Sequence, residues 1–237
     1  MTKPGNAGEP AQSTPAELSG STEPSGSTAP SEPTRRDRRK ARTRRALITA
    51  ARGFLARQGH LDVSIQDITE AADVGFGSFY NHFSGKDELV RAAIEDTLEE
   101  HGRMLDAQTA HLEDPAAVFA ASLRATVRLA ESHPEIARIL VSTGLRYLDR
   151  GLAPRALRDI TRAIESGQFE VANPHLALAT TGGSLLGLVH MRLEHPELLD
   201  DDAPEEFAEQ LLRAFGMPRR SARSRARAAP PERSPGE

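Results

Sequence analysis

Apolar positions recur three and four residues apart along most of the chain, and no stretch alternates apolar and polar residues between turn signals. Residues 38–217 are therefore expected to be almost wholly helical. A first helix over about 38–58 puts Leu47, Ala50, Ala51, Phe54 and Leu55 on one face, and Gly59 stops it. Ser64 is a natural N-cap for a short second helix, with Ile65, Ile68 and Ala72 turned inward and Asp67 near the positive end of its dipole. Asp73 occupies a turn, and Val74 begins a third helix too short to stand alone. In it Phe79 and Phe83 share one face and leave Ser78, Tyr80, Asn81 and His82 on the others. Two short helices joined by a tight turn describe a helix-turn-helix. Ser84, Gly85 and Lys86 lead into a fourth helix that links this head to a body. Further helices, about 91–111, 115–132, 134–149, 154–166, 174–195 and 204–215, are marked off by Pro115, Pro134, Pro154, Pro174, Pro196 and Pro204. The expected fold class is all-α.

Composition narrows the folded part. Pro, Ser, Thr, Gly and Ala make up 25 of residues 1–34, and Leu18 is the only large aliphatic after Met1, so this stretch reads as a disordered tail. Residues 218–237 have no aliphatic larger than Ala and read as a second, basic tail. The start lacks the apolar stretch of a signal peptide, and the most apolar run, 176–191, is shorter than a membrane span needs and holds Thr, Ser, His and Gly. A cytoplasmic protein is the economical expectation. With no cysteine, disulfide scaffolds and thiolate metal sites are excluded, and no spacing of the eight histidines suggests a zinc site. No metal or cofactor is expected.

The net charge of −4 hides a strong division: 35–91 carry +5, 92–217 carry −10 and the last twenty residues +4. The positive charge is concentrated in 35–45, where eight of eleven residues are Arg or Lys and the net charge is +7. Such a cluster suits a phosphate backbone, although on its own a basic run is more often a solvated face or a localisation tract.

The residues behind it decide between these readings. Tyr80, His82, Phe83, Lys86 and Leu89, spaced as they are after the helix and turn over 68–74, closely resemble the DNA-binding domain of TetR-family transcriptional regulators. The resemblance covers roughly residues 40–91. Asp73 stands where the turn often has Gly, and Thr69 where Ala is usual, a change that could alter the angle between the two short helices. The resemblance implies that Ser64, Tyr80, His82 and Lys86 hold phosphates; the charge of the basic arm adds Arg44 and Arg45 to them. It implies that Gln66, Phe76, Gly77, Ser78 and Asn81 approach bases. The chemistry is consistent: Lys86 offers a point charge, Asn81 and Gln66 can pair bidentately with adenine, and Phe76 can meet a thymine methyl. The third helix contains no Arg or Lys, so affinity is expected to lean on the arm.

For the body, the resemblance implies a helical domain for effector binding and dimerisation. In the helix over 174–195, Thr180, Gly183, Ser184 and Gly187 form a small-residue stripe, and interior glycines, at about 1 kcal/mol each, need a packing reason. These four, with Phe207, Leu211, Leu212 and Phe215 of the next helix, are the candidate homodimer face; packing within one subunit is the alternative. Met104, Leu105, Phe119, Leu123, Leu140 and Tyr147 are candidates to line an effector pocket, or else ordinary core. The whole reads as a ligand-responsive repressor that binds a near-palindromic double-stranded operator as a homodimer and is released by a small-molecule effector. A non-specific DNA-binding protein, or a helical ligand-binding module without operator specificity, remains open. Enzymes are disfavoured: Gly182, Gly183 and Ser184 lack the last glycine and the strand of a nucleophile elbow, and Gly85 with Lys86 lacks the upstream glycine of a phosphate loop.

Overall fold

The structure is a computed structural model that describes residues 34–58, 62–144 and 152–228; residues 1–33 and Gly59 lie outside it, as does 145–151, into which the sixth helix was expected to run. Among the described residues the secondary structure is helical throughout. The head comprises α1 (Arg35–Gln58), α2 (Ile65–Ala71) and α3 (Phe76–Phe79). The first helix starts at Arg35, ahead of the expected 38, because Thr34 and Asp37 cap it reciprocally: Thr34 N and Oγ1 donate to Asp37 Oδ2, and Asp37 N donates to Thr34 Oγ1. The second opens on the same device, with Ser64 and Asp67 exchanging bonds.

Asp73 takes φ 52°, the left-handed conformation the turn requires. Thr69 is accommodated without loss, since it is buried and its hydroxyl donates to Gln66 O at 2.9 Å. The third helix begins at Phe76, two residues later than expected, and is one turn long. It is continued by bonds from His82 N and Phe83 N to Phe79 O. Phe79 and Phe83 join Leu47, Leu55, Ile68 and Leu89 in the core beneath. That core runs on without a break through Ala93, Ile94 and Leu98 of α4 (Lys86–Thr109) into Ile136 and Ile139 of α6 (Pro134–Thr143). Head and body are therefore coupled by shared apolar packing. Arg52 of α1 adds ion pairs to Asp96 and Glu100 of α4.

In the body, α5 (Pro115–Ser132) is the central rod, packed against α4, α6, α7 (Leu152–Glu165), α8 (Pro174–Glu194) and α9 (Ala203–Ala214). Asp114 and Asn173 cap α5 and α8, each followed by proline at the first helical position, where its missing N–H costs nothing. A second core forms around Phe119, Phe169 and Phe215, whose ring centroids lie 5.3 to 5.9 Å apart. Among the described residues, no helix is long and apolar enough to cross a membrane.

The reading of 218–237 as a tail is corrected over its first part. Residues Arg219–Ala226 form α10, which packs on α9 and α5. Ala222 and Ala226, four residues apart, are fully buried; their small side chains let the helix approach closely. Arg225 clamps both oxygens of Asp114, with Nη2 2.7 Å from Oδ2, and Arg124 donates to Ala228 O at 2.7 Å.

Candidate nucleic-acid interface and effector cavity

The outer surface of the head gathers most of the residues singled out from the sequence. Phe76 and Tyr80 are more than half exposed and meet edge to face, with centroids 6.0 Å apart. Gln66, Gly77 and Asn81 are exposed beside them, and Ser78 is half-buried. A side chain at Gly77 would meet nothing within 4 Å, so its bareness serves no contact inside the protein. Gln66 Nε2 is engaged with Glu70 Oε1 at 3.0 Å, a bond it would exchange on pairing with a base.

The phosphate candidates are differently placed. The Ser64 hydroxyl donates to Asp67 Oδ2 at 2.7 Å, so capping already uses its hydrogen. Lys86 is half-buried with Nζ 3.3 Å from Val63 O, which pins the start of α4 to the loop before α2 and leaves further ammonium hydrogens for a phosphate. His82 is half-buried too, and its Nδ1 is buried without a partner. Burial, and then the nearby charges of Lys40 and Arg44, hold its pKa below the ordinary histidine value. Arg44 lies over the Phe83 ring, Cζ 5.0 Å from the centroid, and Arg45 is exposed on a different side of α1.

In the body, a cavity of about 70 Å³ opens between α4, α5, α7 and α8. Three pocket candidates, Leu105, Phe119 and Leu123, line it, and Met104 with Leu105 lines a wider cleft between α4 and α5. Two others are corrected or set aside: Leu140 is buried in the core shared with the head, and Tyr147 lies outside the described residues.

The polar part of the cavity was missed: Asp106, Thr126, Arg155, Arg158, Asp159 and Thr181 share its wall with the apolar residues. Asp159 is buried, and desolvation raises its pKa despite Arg158 3.3 Å away. The available signal was a carboxylate and an arginine at the inward spacing of α7, Arg155 and Asp159, among Leu152, Ala156 and Ala163.

Arg155 also reaches back to α4. Its guanidinium pairs with Glu99 and Asp106, each at 3.2 Å, and lies against the bare backbone of Gly102 between them. Next to Gly102, His101 is buried with Nε2 3.0 Å from Thr126 Oγ1. Since Thr126 Oγ1 donates to Ser122 O at 2.8 Å, it must accept from His101, which fixes the proton on Nε2. Burial pushes the His101 pKa down to about 4. Among the described residues, no group of three His, Asp or Glu could hold a metal ion.

On the body's outer side, α8 presents Thr180, Gly183, Ser184 and Gly187 to solvent, with Leu176 66% and Met191 38% exposed along the same face. Side chains added at Gly183 or Gly187 would meet nothing within 4 Å. Packing inside the subunit therefore does not explain these glycines. Phe207 is half-buried, but Leu211, Leu212 and Phe215 are buried in the second core and leave the list of surface candidates.

Comparison with known proteins agrees with this division. Residues 47–93 match the family described as bacterial regulatory proteins, tetR family, and 114–228 match the tetracyclin repressor-like C-terminal domain. The transcriptional regulator BetI of Brucella melitensis is 36% identical over 84 residues, 34% of this chain and 42% of its own length. The repressor KstR2 of Mycolicibacterium smegmatis is 30% identical over 83 residues, 33% and 40% respectively. The matched stretch thus spans less than half of these curated relatives. The crystal structure of RolR with resorcinol bound is 37% identical, covers 83% of this chain and 99% of its own, and superposes with a TM-score of 0.66. By these matches and this architecture, the chain belongs to the TetR family of DNA-binding transcriptional regulators.

Proposed function

We propose that the protein is a ligand-responsive repressor that binds a near-palindromic operator as a homodimer and is released by a small hydroxylated aromatic compound. The observation that carries this reading is the cavity between α4, α5, α7 and α8, whose polar wall is also the anchor of α4. Leu105, Phe119, Leu123, Leu152 and Leu185 would hold a ring, while Asp159, Arg158, Arg155 and Asp106 would meet its hydroxyl groups. Resorcinol, bound in RolR, is a molecule of this class.

At about 70 Å³, the cavity falls well below the roughly 150 Å³ in which a benzene ring fits. A ligand must therefore displace a side chain, and Arg155 is the long, jointed one on its rim. Drawing Arg155 away from Glu99 and Asp106 frees α4, and α4 carries the motion to the head through Arg52 and the shared apolar core. In the homodimer, the α8 stripe of Leu176, Thr180, Gly183, Ser184 and Gly187 would face its copy with Phe207 at the edge. The two heads would read half-sites about 34 to 36 Å apart. Within each head, Tyr80, Lys86, Arg44, Arg45, His82 and Ser64 would meet phosphates, and Gln66, Phe76, Gly77, Ser78 and Asn81 would face bases.

Operator selection from random DNA with the full chain, followed by anisotropy titrations with and without resorcinol, tests the proposal. A palindromic motif whose affinity falls on adding resorcinol supports it. Salt-driven binding with no motif would favour the non-specific reading, and a motif indifferent to resorcinol and related phenols would refute the effector class.

A further inference from the structure

The basic arm is a helix with two differently employed faces. Residues 35–46 precede Leu47, the first buried residue of α1, and lie outside the stretch that matches the family's DNA-binding head, 47–93. At 1.5 Å per residue they form a rod about 17 Å long. Its eight basic residues are all exposed and fall into two rows. Arg36, Lys40 and Arg44, four residues apart, form one. The charges of Lys40 and Arg44 bear on His82, and Arg44 covers Phe83, so this row belongs to the same surface as the junction of α3 and α4. Arg35, Arg38, Arg39, Arg42 and Arg45, spaced three and four apart, form the other. Helical geometry turns this row well away from the first, by about 100° per residue of offset.

We propose that the outer row, Arg35, Arg38, Arg39, Arg42 and Arg45, is a second DNA contact that holds the sugar–phosphate strand flanking the half-site read by α2 and α3. One strand of a duplex carries a charge per about 3.4 Å of axis, so a 17 Å rod runs past about five of its phosphates, enough to occupy the row. Arginine suits the task, since its planar fork grips phosphate oxygens in pairs. The row is preformed: the Thr34 and Asp37 cap fixes its first turn. Binding therefore need not order a tail, which lowers its entropic cost. Because α3 has no Arg or Lys, the flanking contact would supply a large part of the affinity without adding base selectivity.

The inference rests on the DNA-binding reading and is separable from operator specificity. The test compares two duplexes carrying the selected motif, one trimmed to it and one extended by about ten base pairs, one helical turn, on each side. The salt dependence of affinity is measured for the parent and for the variant with all five outer arginines changed to Gln, a residue of similar helix propensity. On the flanked duplex, with the outer rows of both heads engaged, the variant's slope of log affinity against log salt should be shallower by about 8 to 9, at roughly 0.9 per phosphate. On the trimmed duplex the difference should largely vanish. The pair K40Q and R44Q should lower the slope equally on both. A five-fold variant with the parent's slope on the flanked duplex, or with an equal deficit on both, overturns the assignment. If selection returns no motif, operator specificity fails alone: the same deficit on a mixed-sequence duplex of the flanked length supports the outer row, and its absence refutes it.

Discussion

Gly102→Ala isolates the link between cavity and head. A Cβ at Gly102 would lie 2.5 Å from Arg155 Nη1 and 2.6 Å from Cζ, so the guanidinium must leave. The obstacle is the far end of a flexible side chain, and the backbone of α4 can stay in place. Alanine inside a helix gains about 1 kcal/mol over glycine. Against this stand the pairs of Arg155 with Glu99 and Asp106, whose carboxylate side chains are 55% and 50% exposed; each is worth at most about 1 kcal/mol at such exposure. The two effects nearly cancel, so the midpoint of thermal unfolding should move by no more than the equivalent of about 1 kcal/mol.

The functional effect should not cancel. If the grip of Arg155 on α4 holds the DNA-competent arrangement, its loss imitates the effector: operator affinity without ligand should drop several-fold, and resorcinol should lower it little further. The parent should show the roughly 5- to 150-fold response typical of allosteric coupling. Anisotropy titrations on the selected operator, paired with thermal melts, read both quantities. A variant with parental operator affinity and parental response would sink the mechanism, because it would show that α4 moves without reference to Arg155.

Three further outcomes follow from the geometry. Gly216 sits at φ +93°, and a Cβ there would lie 2.8 Å from Glu170 Cβ, so Gly216→Ala should cost about 2 kcal/mol, read by chemical denaturation; a cost below about 0.5 kcal/mol would contradict the strain. Leu176→Arg, on the exposed α8 face, should halve the mass measured by light scattering while leaving the melting temperature of the isolated subunit unchanged; a dimer that persists would move the interface elsewhere. His101, with a folded pKa of about 4 against an ordinary 6.5, takes up its proton more readily when unfolded. The stability of the parent relative to His101→Gln should therefore be constant above about pH 6.5 and fall by up to about 3 kcal/mol towards pH 4. A pH-independent difference would refute the buried, neutral imidazole.

The head was legible because its signals are local. Ser64 with Asp67, the left-handed Asp73 and the Phe79–Phe83 pair each act within a few residues, and each stands where the pattern puts it. Legibility failed where a role depends on distant partners. The alanines of α10 look like linker composition until Asp114, a hundred residues away in sequence, supplies an anchor for Arg225. Leu211 and Leu140 carry the same apolar signal as surface anchors or pocket residues, and only packing shows which core they fill. The polar wall of the cavity was hidden in the opposite way. Arg155 and Asp159 carry the inward spacing of α7, but spacing alone does not turn a charged residue inward until a partner is known.

The arrangement of polar groups along α4 supports the regulatory mechanism we propose. Residues 86–98 carry the apolar face that seals the head, and residues 99–106 carry Glu99, His101, Gly102 and Asp106 against α7 and α5. The apolar half is rigid, because moving it would expose Ile94 and Leu98 at a few kcal/mol each. The polar half is held by half-exposed ion pairs of about 1 kcal/mol each, together with one buried hydrogen bond. A ligand with modest binding energy can therefore rearrange the second half without unfolding the first. On the proposed mechanism, that rearrangement reaches the head through the buried apolar section of α4. On that mechanism, a tighter, fully buried anchor at Arg155 would make the regulator more stable and less responsive. The exposure of Glu99 and Asp106 is then what the proposed switch requires of its anchor.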